Sequence, residues 1–182
     1  GKFLTDFTAE ELADFASKAY ADEKFGGADT APVVKLGEGK NLLELWHGPT
    51  CAFKDMALQM LPHLLTASLR KTGETRTACI LVATSGDTGK AALDGFHDVP
   101  GTKIMVYYPV DGVSPMQKLQ MVTQEGRNVE VVAIRGNFDD AQSAVKRIFT
   151  DEDTRAALDK DGMMLSSANS INWGRLVPQI AY

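Results

Sequence analysis

The stretch ACILVATSGDTGKAA, Ala78 to Ala92, is an apolar run that gives way to small and hydroxylated residues and then to good helix formers. A short continuous apolar run bounded by turn residues reads as a strand buried on both faces, the parallel-sheet type. Parallel neighbours need a crossover, and the helix opening near Thr88 supplies one. Ser85, Gly86, Asp87, Thr88 and Gly89 put hydroxyls and free backbone N–H groups at a positive helix end, which suits a carboxylate or a phosphate. An ordinary strand-to-helix turn with a Ser or Asp cap is the plainer reading of the same loop. A P-loop is excluded, because it requires glycine at Thr84 and Ser or Thr at Ala91.

Downstream the alternation repeats. KIMVYY (Lys103 to Tyr108), VEVVAI (Val129 to Ile134) and GMMLSSA (Gly162 to Ala168) read as three further buried strands, with helices starting at Ser114 and Asn137 between them. Ser114, Pro115 and Gln117 form a capping box with proline at the first helical position. Strand and helix in alternation predict an α/β fold, a small doubly wound, mostly parallel sheet unit. There is no internal repeat, low-complexity tract or flexible linker.

Upstream, Thr8 with Glu11 marks a capped helix that carries Leu12, Phe15 and Ala19 on one side and ends before Gly26. PVVKLG and NLLELW around EGK predict an antiparallel hairpin that leads straight into HGPTCAFKDMALQM, His47 to Met60, so that a strand delivers Lys54. Met56, Met60, Leu61, Leu64, Leu65 and Leu69 predict one continuous helix from Lys54 or Asp55 onward. Lys54 then stands at a helix N-terminus, the end that favours anions. Two readings remain open: a side chain that snorkels past Phe53 into water, or an amine whose pKa is lowered by the helix end and apolar neighbours so that it attacks a carbonyl.

Composition narrows the function classes. The 182 residues carry 19 Lys+Arg against 24 Asp+Glu, a net charge of −5 with no long like-charged block, which argues against nucleic acid as a partner. No apolar run is long enough to span a membrane, and GKFLTDFTAEEL lacks the order of a signal peptide, so the expectation is a cytoplasmic protein. Cys51 and Cys79 read as buried free thiols; with His47, His63 and His97 they make no ligand cluster, and no metal is expected. SINWGRLVPQIAY begins a helix with Leu176, Val177 and Ile180 on its apolar side and stops at Tyr182 without a terminating glycine, which reads as a truncated chain.

HGPTCAFKD, then ATSGDTG about 30 residues later, then SSANSINWGR together resemble threonine synthase, a pyridoxal-phosphate enzyme of the tryptophan-synthase β-subunit fold type. Asp87 stands where related dehydratases and cysteine synthases carry asparagine. The resemblance implies a two-domain fold-type II enzyme with an incomplete cofactor domain: 1–77 as part of that domain, 78–165 as the small α/β domain, and 166–182 as the truncated return. It implies pyridoxal 5'-phosphate bound covalently by Lys54, and a carbon–oxygen lyase converting O-phospho-L-homoserine and water to L-threonine and phosphate. Ser85, Gly86, Asp87 and Thr88 would face the substrate carboxylate and the cofactor hydroxyl, with Asp87 a cofactor contact. Ser170, Asn172 and Arg175 would lie toward the substrate phosphate. Read alone, Asn169 and Ser170 are a helix cap and Arg175 a surface charge. The family's cofactor-phosphate loop should lie beyond Tyr182; RGNFDD, Arg135 to Asp140, precedes SSANSINWGR and reads as a capped helix start. Two other functions stay open, a phospholyase acting on another phosphorylated amino acid and a non-catalytic anion-binding α/β module. Oligomeric state is not legible.

Overall fold

The structure is a computed structural model and describes residues 2, 4–27 and 29–182. Its centre is a parallel sheet with strand order β5-β4-β3-β6, made of β3 (Thr77–Ala83), β4 (Thr102–Pro109), β5 (Val129–Ile134) and β6 (Met163–Ser166). Every pairing in it is parallel, with Ile80 opposite Ile104 and Cys79 opposite Leu165. The crossovers are α5 (Asp87–Phe96), α6 (Pro115–Val122) and the pair α7 (Phe138–Thr150) and α8 (Glu152–Lys160).

Strand periodicity sorts β3 onto two cores. Ala78, Ile80 and Val82 pack with Leu93, Phe96, Ile104 and Val106, whereas Leu81 and Ala83 pack with Ala141 and Val145 of α7. Both faces are covered, so the sequence of this strand shows no polar alternation. The expectation of four buried strands holds for β3 and for one face of β4, whose other face carries exposed Lys103 and half-buried Met105 and Tyr107. β5 and β6 lie at the sheet edges, where Glu130 and Ala133 are exposed and the β6 residues half-buried. The capping box expected at Ser114 forms, and RGNFDD is the expected capped helix start, where Asn137 and Asp140 make a box of their own. Helix α8 is an addition. Asp151 caps it, but no residue of it is buried, so it has no apolar stripe for a periodicity reading to find.

The first part of the chain holds α1 (Ala9–Ala19), α2 (Asp22–Phe25), the hairpin β1 (Val33–Gly37) and β2 (Lys40–Leu43), α3 (Asp55–Leu58) and α4 (Leu61–Thr72). Thr8 and Glu11 make the expected capping box, and Phe15 and Ala19 close against Met60, Leu64 and Ala67. Two expectations are corrected here. The hairpin stops at Leu43 and residues 44–53 form no strand, so a loop and not a strand delivers Lys54. The expected single helix breaks at Gln59 and Met60, because Pro62 has no N–H to donate and its ring excludes the carbonyl four residues earlier, that of Leu58.

The break leaves the Leu58 carbonyl facing α5, where Gly95 lies so close that a Cβ would run into it. Helix α5 therefore rests directly on the backbone of α3, and Leu58 and Leu61 join the same core as Ile80 and Phe96. No helix among the described residues is long and apolar enough to cross a membrane. The Gly95 contact is testable. Gly95→Ala should gain about 1 kcal/mol in helix propensity and lose more to overpacking. Urea denaturation should show a net destabilisation of about 1–3 kcal/mol.

Candidate active site

Lys54 is the residue before α3 and has helical backbone angles, φ −66° and ψ −19°. The loop ahead of it is held by a buried carboxylate. Asp55 is fully buried and accepts from the Thr50 backbone N–H at 2.8 Å and from the Thr50 hydroxyl at 2.5 Å. Burial pushes the Asp55 carboxyl above its usual range, against the pull of these hydrogen bonds, and Asp94 adds to the rise. A Cβ on Gly48 would sit 2.5 Å from Asp55 Oδ2, so the loop closes this tightly only with glycine there. The third polar group of Thr50, its carbonyl, accepts a hydrogen bond from the Lys90 ammonium, itself buried on α5. Cys51 adopts φ 57° and is exposed, and Cys79 is half-buried. The expectation of two buried thiols fails because Cys51 sits in a tight turn and not in a strand.

The loop between β3 and α5 is built on Thr84. Its buried hydroxyl accepts from the N–H groups of Gly86 and Gly89, both at 2.9 Å. Two of the donors expected for an anion are thus consumed. The N–H groups of Asp87 and Thr88, at the first turn of α5, have no acceptor among the described residues and remain for a ligand. Gly86 takes φ 141°, and a Cβ there would run into the Gln117 side chain. Gln117 Nε2 donates to Asp87 Oδ1 at 2.8 Å.

The two motifs meet. Lys54 Nζ lies 3.8 Å from Asp87 Oδ2 and 4.3 Å from the Phe53 ring centroid, with the lysine side chain 19% and the aspartate 42% exposed. The surroundings of the amine are therefore apolar on one side only. In the same loop and helix start Ser85 is exposed and Thr88, next to Asp87, is half-buried.

The third motif lies on α9 (Trp173–Leu176), which packs against α3 and α4 and runs into a 3-10 turn, Val177–Ala181. Asn172 is the cap, its Oδ1 accepting from Gly174 N at 3.0 Å and its Nδ2 donating to Ser167 O at 2.7 Å. The cap expected at Asn169 and Ser170 is displaced to Asn172, which is thus largely engaged with backbone, and Ser170 is exposed. Arg175 is not a surface charge. It is 6% exposed, gives one N–H to Ala168 O at 3.2 Å, and leaves its Nε buried without a partner among the described residues. Burial lowers the guanidinium pKa from its usual value, opposed by Tyr182. An uncompensated donor of this kind is expensive unless an acceptor arrives.

Sequence reasoning missed Thr50, Asp55, Lys90 and Gln117 as parts of this site. A buried lysine and a buried aspartate carry no local signal; only the turn glycine at Gly48 hinted at a tight closure. No group of three or more metal-ligating side chains occurs among the described residues. A cavity of about 760 Å³ between α7, α8 and β6 is lined by Arg76, Phe149, Arg155 and Met163 among others, and none of the residues above lines it.

A parallel α/β unit with an amine and an anion-ready helix start at the end of an interior strand, β3, is the fold of part of a fold-type II pyridoxal-phosphate enzyme. The pyridoxal-phosphate-bound threonine synthase from Brucella melitensis superposes with a TM-score of 0.85 and 40% identity, over 98% of this chain and 38% of that one. Human threonine synthase-like 1 is 42% identical over 97% of this chain and 24% of its own length. Threonine synthase of Pseudomonas aeruginosa is 41% identical over 100% of this chain and 38% of its own. No protein-family model matches. By sequence and by fold the chain is similar to threonine synthases and threonine synthase-like proteins, and it spans about a quarter to two fifths of the length of these relatives.

The Thr50 knot yields a direct expectation. Asp55→Ala strips acceptors from two buried donors and should cost about 2–4 kcal/mol. Thermal or urea denaturation reads the loss. Asp55→Asn, which keeps one carbonyl acceptor, should recover part of it.

Proposed function

We propose that this chain carries the lysine-bearing part of a threonine synthase, a pyridoxal-phosphate-dependent carbon–oxygen lyase that converts O-phospho-L-homoserine and water to L-threonine and phosphate. The observation that carries the reading is the meeting of Lys54 with Asp87 across two separate motifs. It is supported by the 40% identity to a pyridoxal-phosphate-bound threonine synthase.

Lys54 is the amine that would hold the cofactor covalently and, when free, would move protons at the substrate's Cα and Cβ. Bound pyridoxal phosphate supplies an electron sink for negative charge on those carbons. The residues present fit such a group: the free N–H groups at the start of α5 and the orphaned Arg175 Nε both call for anionic oxygens. In this reading Ser85, Gly86, Asp87 and Thr88 orient the substrate carboxylate and the cofactor ring. Ser170, Asn172 and Arg175 serve the substrate phosphate, with Arg175 the main contact because its planar fork matches phosphate oxygens. The proposed domain division places Lys54 in 1–77, Asp87 in 78–165 and Arg175 in 166–182, so all three parts contribute. Free thiols at Cys51 and Cys79 support a reducing, cytoplasmic setting.

The 42% identity to threonine synthase-like 1 favours a second reading, a phospholyase acting on another phosphorylated amino acid. Product analysis separates the two, threonine against a keto acid.

Borohydride reduction in the presence of pyridoxal phosphate should leave the pyridoxyl group on Lys54 by peptide mass spectrometry. Lys90 should stay unlabelled, because its ammonium is buried against Thr50; a label on Lys90 or Lys118, or no label at all, would refute the assignment. Arg175→Ala should weaken binding of phosphohomoserine by about 2–4 kcal/mol, the scale of lost charge-assisted hydrogen bonds, and leave a phosphate-free analogue unaffected. Arg175→Lys should recover only part, since an ammonium restores charge without the fork. Calorimetric titration of both ligands checks this.

A further inference from the structure

Resting on the reading of Lys54 and Asp87 as the reacting centre, we propose that Gln117 is a positioning residue that holds the Asp87 carboxylate on the side of the Lys54 amine. Three observations converge on it. First, the carboxamide is fixed at both ends. Its Oε1 accepts from the Ser114 backbone N–H at 3.1 Å, so its Nε2 must be the end that meets Asp87 Oδ1, at 2.8 Å. That leaves Asp87 Oδ2 facing Lys54 Nζ at 3.8 Å. Second, the space for the carboxamide exists only because residue 86 is glycine, since any Cβ there would collide with the Gln117 side-chain carbon, nitrogen and oxygen. Third, the Asp87 side chain is 42% exposed, and among the described residues Gln117 is the one side chain hydrogen-bonded to it. Without that bond its carboxylate is free to turn toward water, as exposed carboxylates do.

Gln117 belongs to α6, whose N-terminal box ties it to Ser114. The helix crossover between β4 and β5 thus reaches back to the loop after β3 and sets which carboxylate oxygen Lys54 meets. Gln117 acts through Asp87, to which its Nε2 donates.

The test reads the Lys54 amine in the full chain without cofactor, by competitive acetylation at pH 8 and peptide mass spectrometry, with circular dichroism and melting recorded for each variant. Asp87→Asn and Gln117→Leu should each speed Lys54 acetylation about two- to fivefold, the range that partly exposed ion pairs span. The double variant should be no faster than Asp87→Asn alone, because the two act in series. Ser114→Ala removes the hydroxyl of the same capping box and leaves the Gln117–Asp87 bond, so it should not change the rate. Gln117→Met provides a second replacement of similar length if the leucine variant melts early. An unchanged rate in Gln117→Leu and Gln117→Met, a rise that persists in the Asp87→Asn background, or an equal rise in Ser114→Ala would overturn the proposal. Failure of borohydride to trap pyridoxal phosphate on Lys54 would instead sink the functional reading, while the acetylation rates still decide the role of Gln117.

Discussion

Thr50 has three polar groups in a place water does not reach, and the site is arranged around satisfying them. Its N–H and hydroxyl go to Asp55, and its carbonyl goes to Lys90. Asp55 follows Lys54 directly, and Lys90 lies one turn beyond Asp87 on α5. A buried backbone group left unpaired costs on the order of 1–3 kcal/mol, so the loop before Lys54 and the helix after Asp87 are bound to the same residue. The 3.8 Å approach of Lys54 to Asp87 follows from that shared anchor.

Close backbone contact makes the anchor possible. Gly48 lets the loop fold onto the Asp55 carboxylate, Gly95 lets α5 rest on the Leu58 carbonyl, and Gly86 leaves room for the Gln117 side chain. Each of these glycines stands where a methyl group would push two segments of the site apart. The proline at position 62 belongs to the same design, because it interrupts the helix and releases the Leu58 carbonyl toward Gly95. Packing of this density also explains why the buried Arg175 is notable. Among the described residues its Nε is one of two buried side-chain atoms without a hydrogen-bond partner, the other being Gln120 Oε1.

The sheet itself carries the division of labour between stability and chemistry. β3 packs into a core on each face and β4 buries one face and half-buries the other, whereas Lys54 meets Asp87 at the loop that leaves β3. That loop can be rich in small polar residues because Thr84, at its base, already satisfies two of its N–H groups. The remaining donors are left at the positive end of α5, where an anion is favoured.

The sequence by itself determined the parallel sheet, its main crossover helices and the two motifs, around Lys54 and Asp87, that the fold brings together, because these are local signals: apolar runs, capping boxes at Thr8 and Ser114, a helix start at Asn137, and turn-rich loops before helices. It determined less at the sheet edges and in α8, where burial is partial and periodicity fades. It misplaced the delivery of Lys54 and ran α3 and α4 together, since the effect of Pro62 depends on whether a neighbouring helix can take up the freed carbonyl. Only the tertiary structure decided that Arg175 is buried, that Asn172 and not Asn169 or Ser170 forms the cap, and that Thr50, Asp55, Lys90 and Gln117 hold the site. Those roles depend on burial and on partners distant in the chain, such as Lys90 for Thr50, and burial is a property of the packed whole that no single stretch of residues encodes.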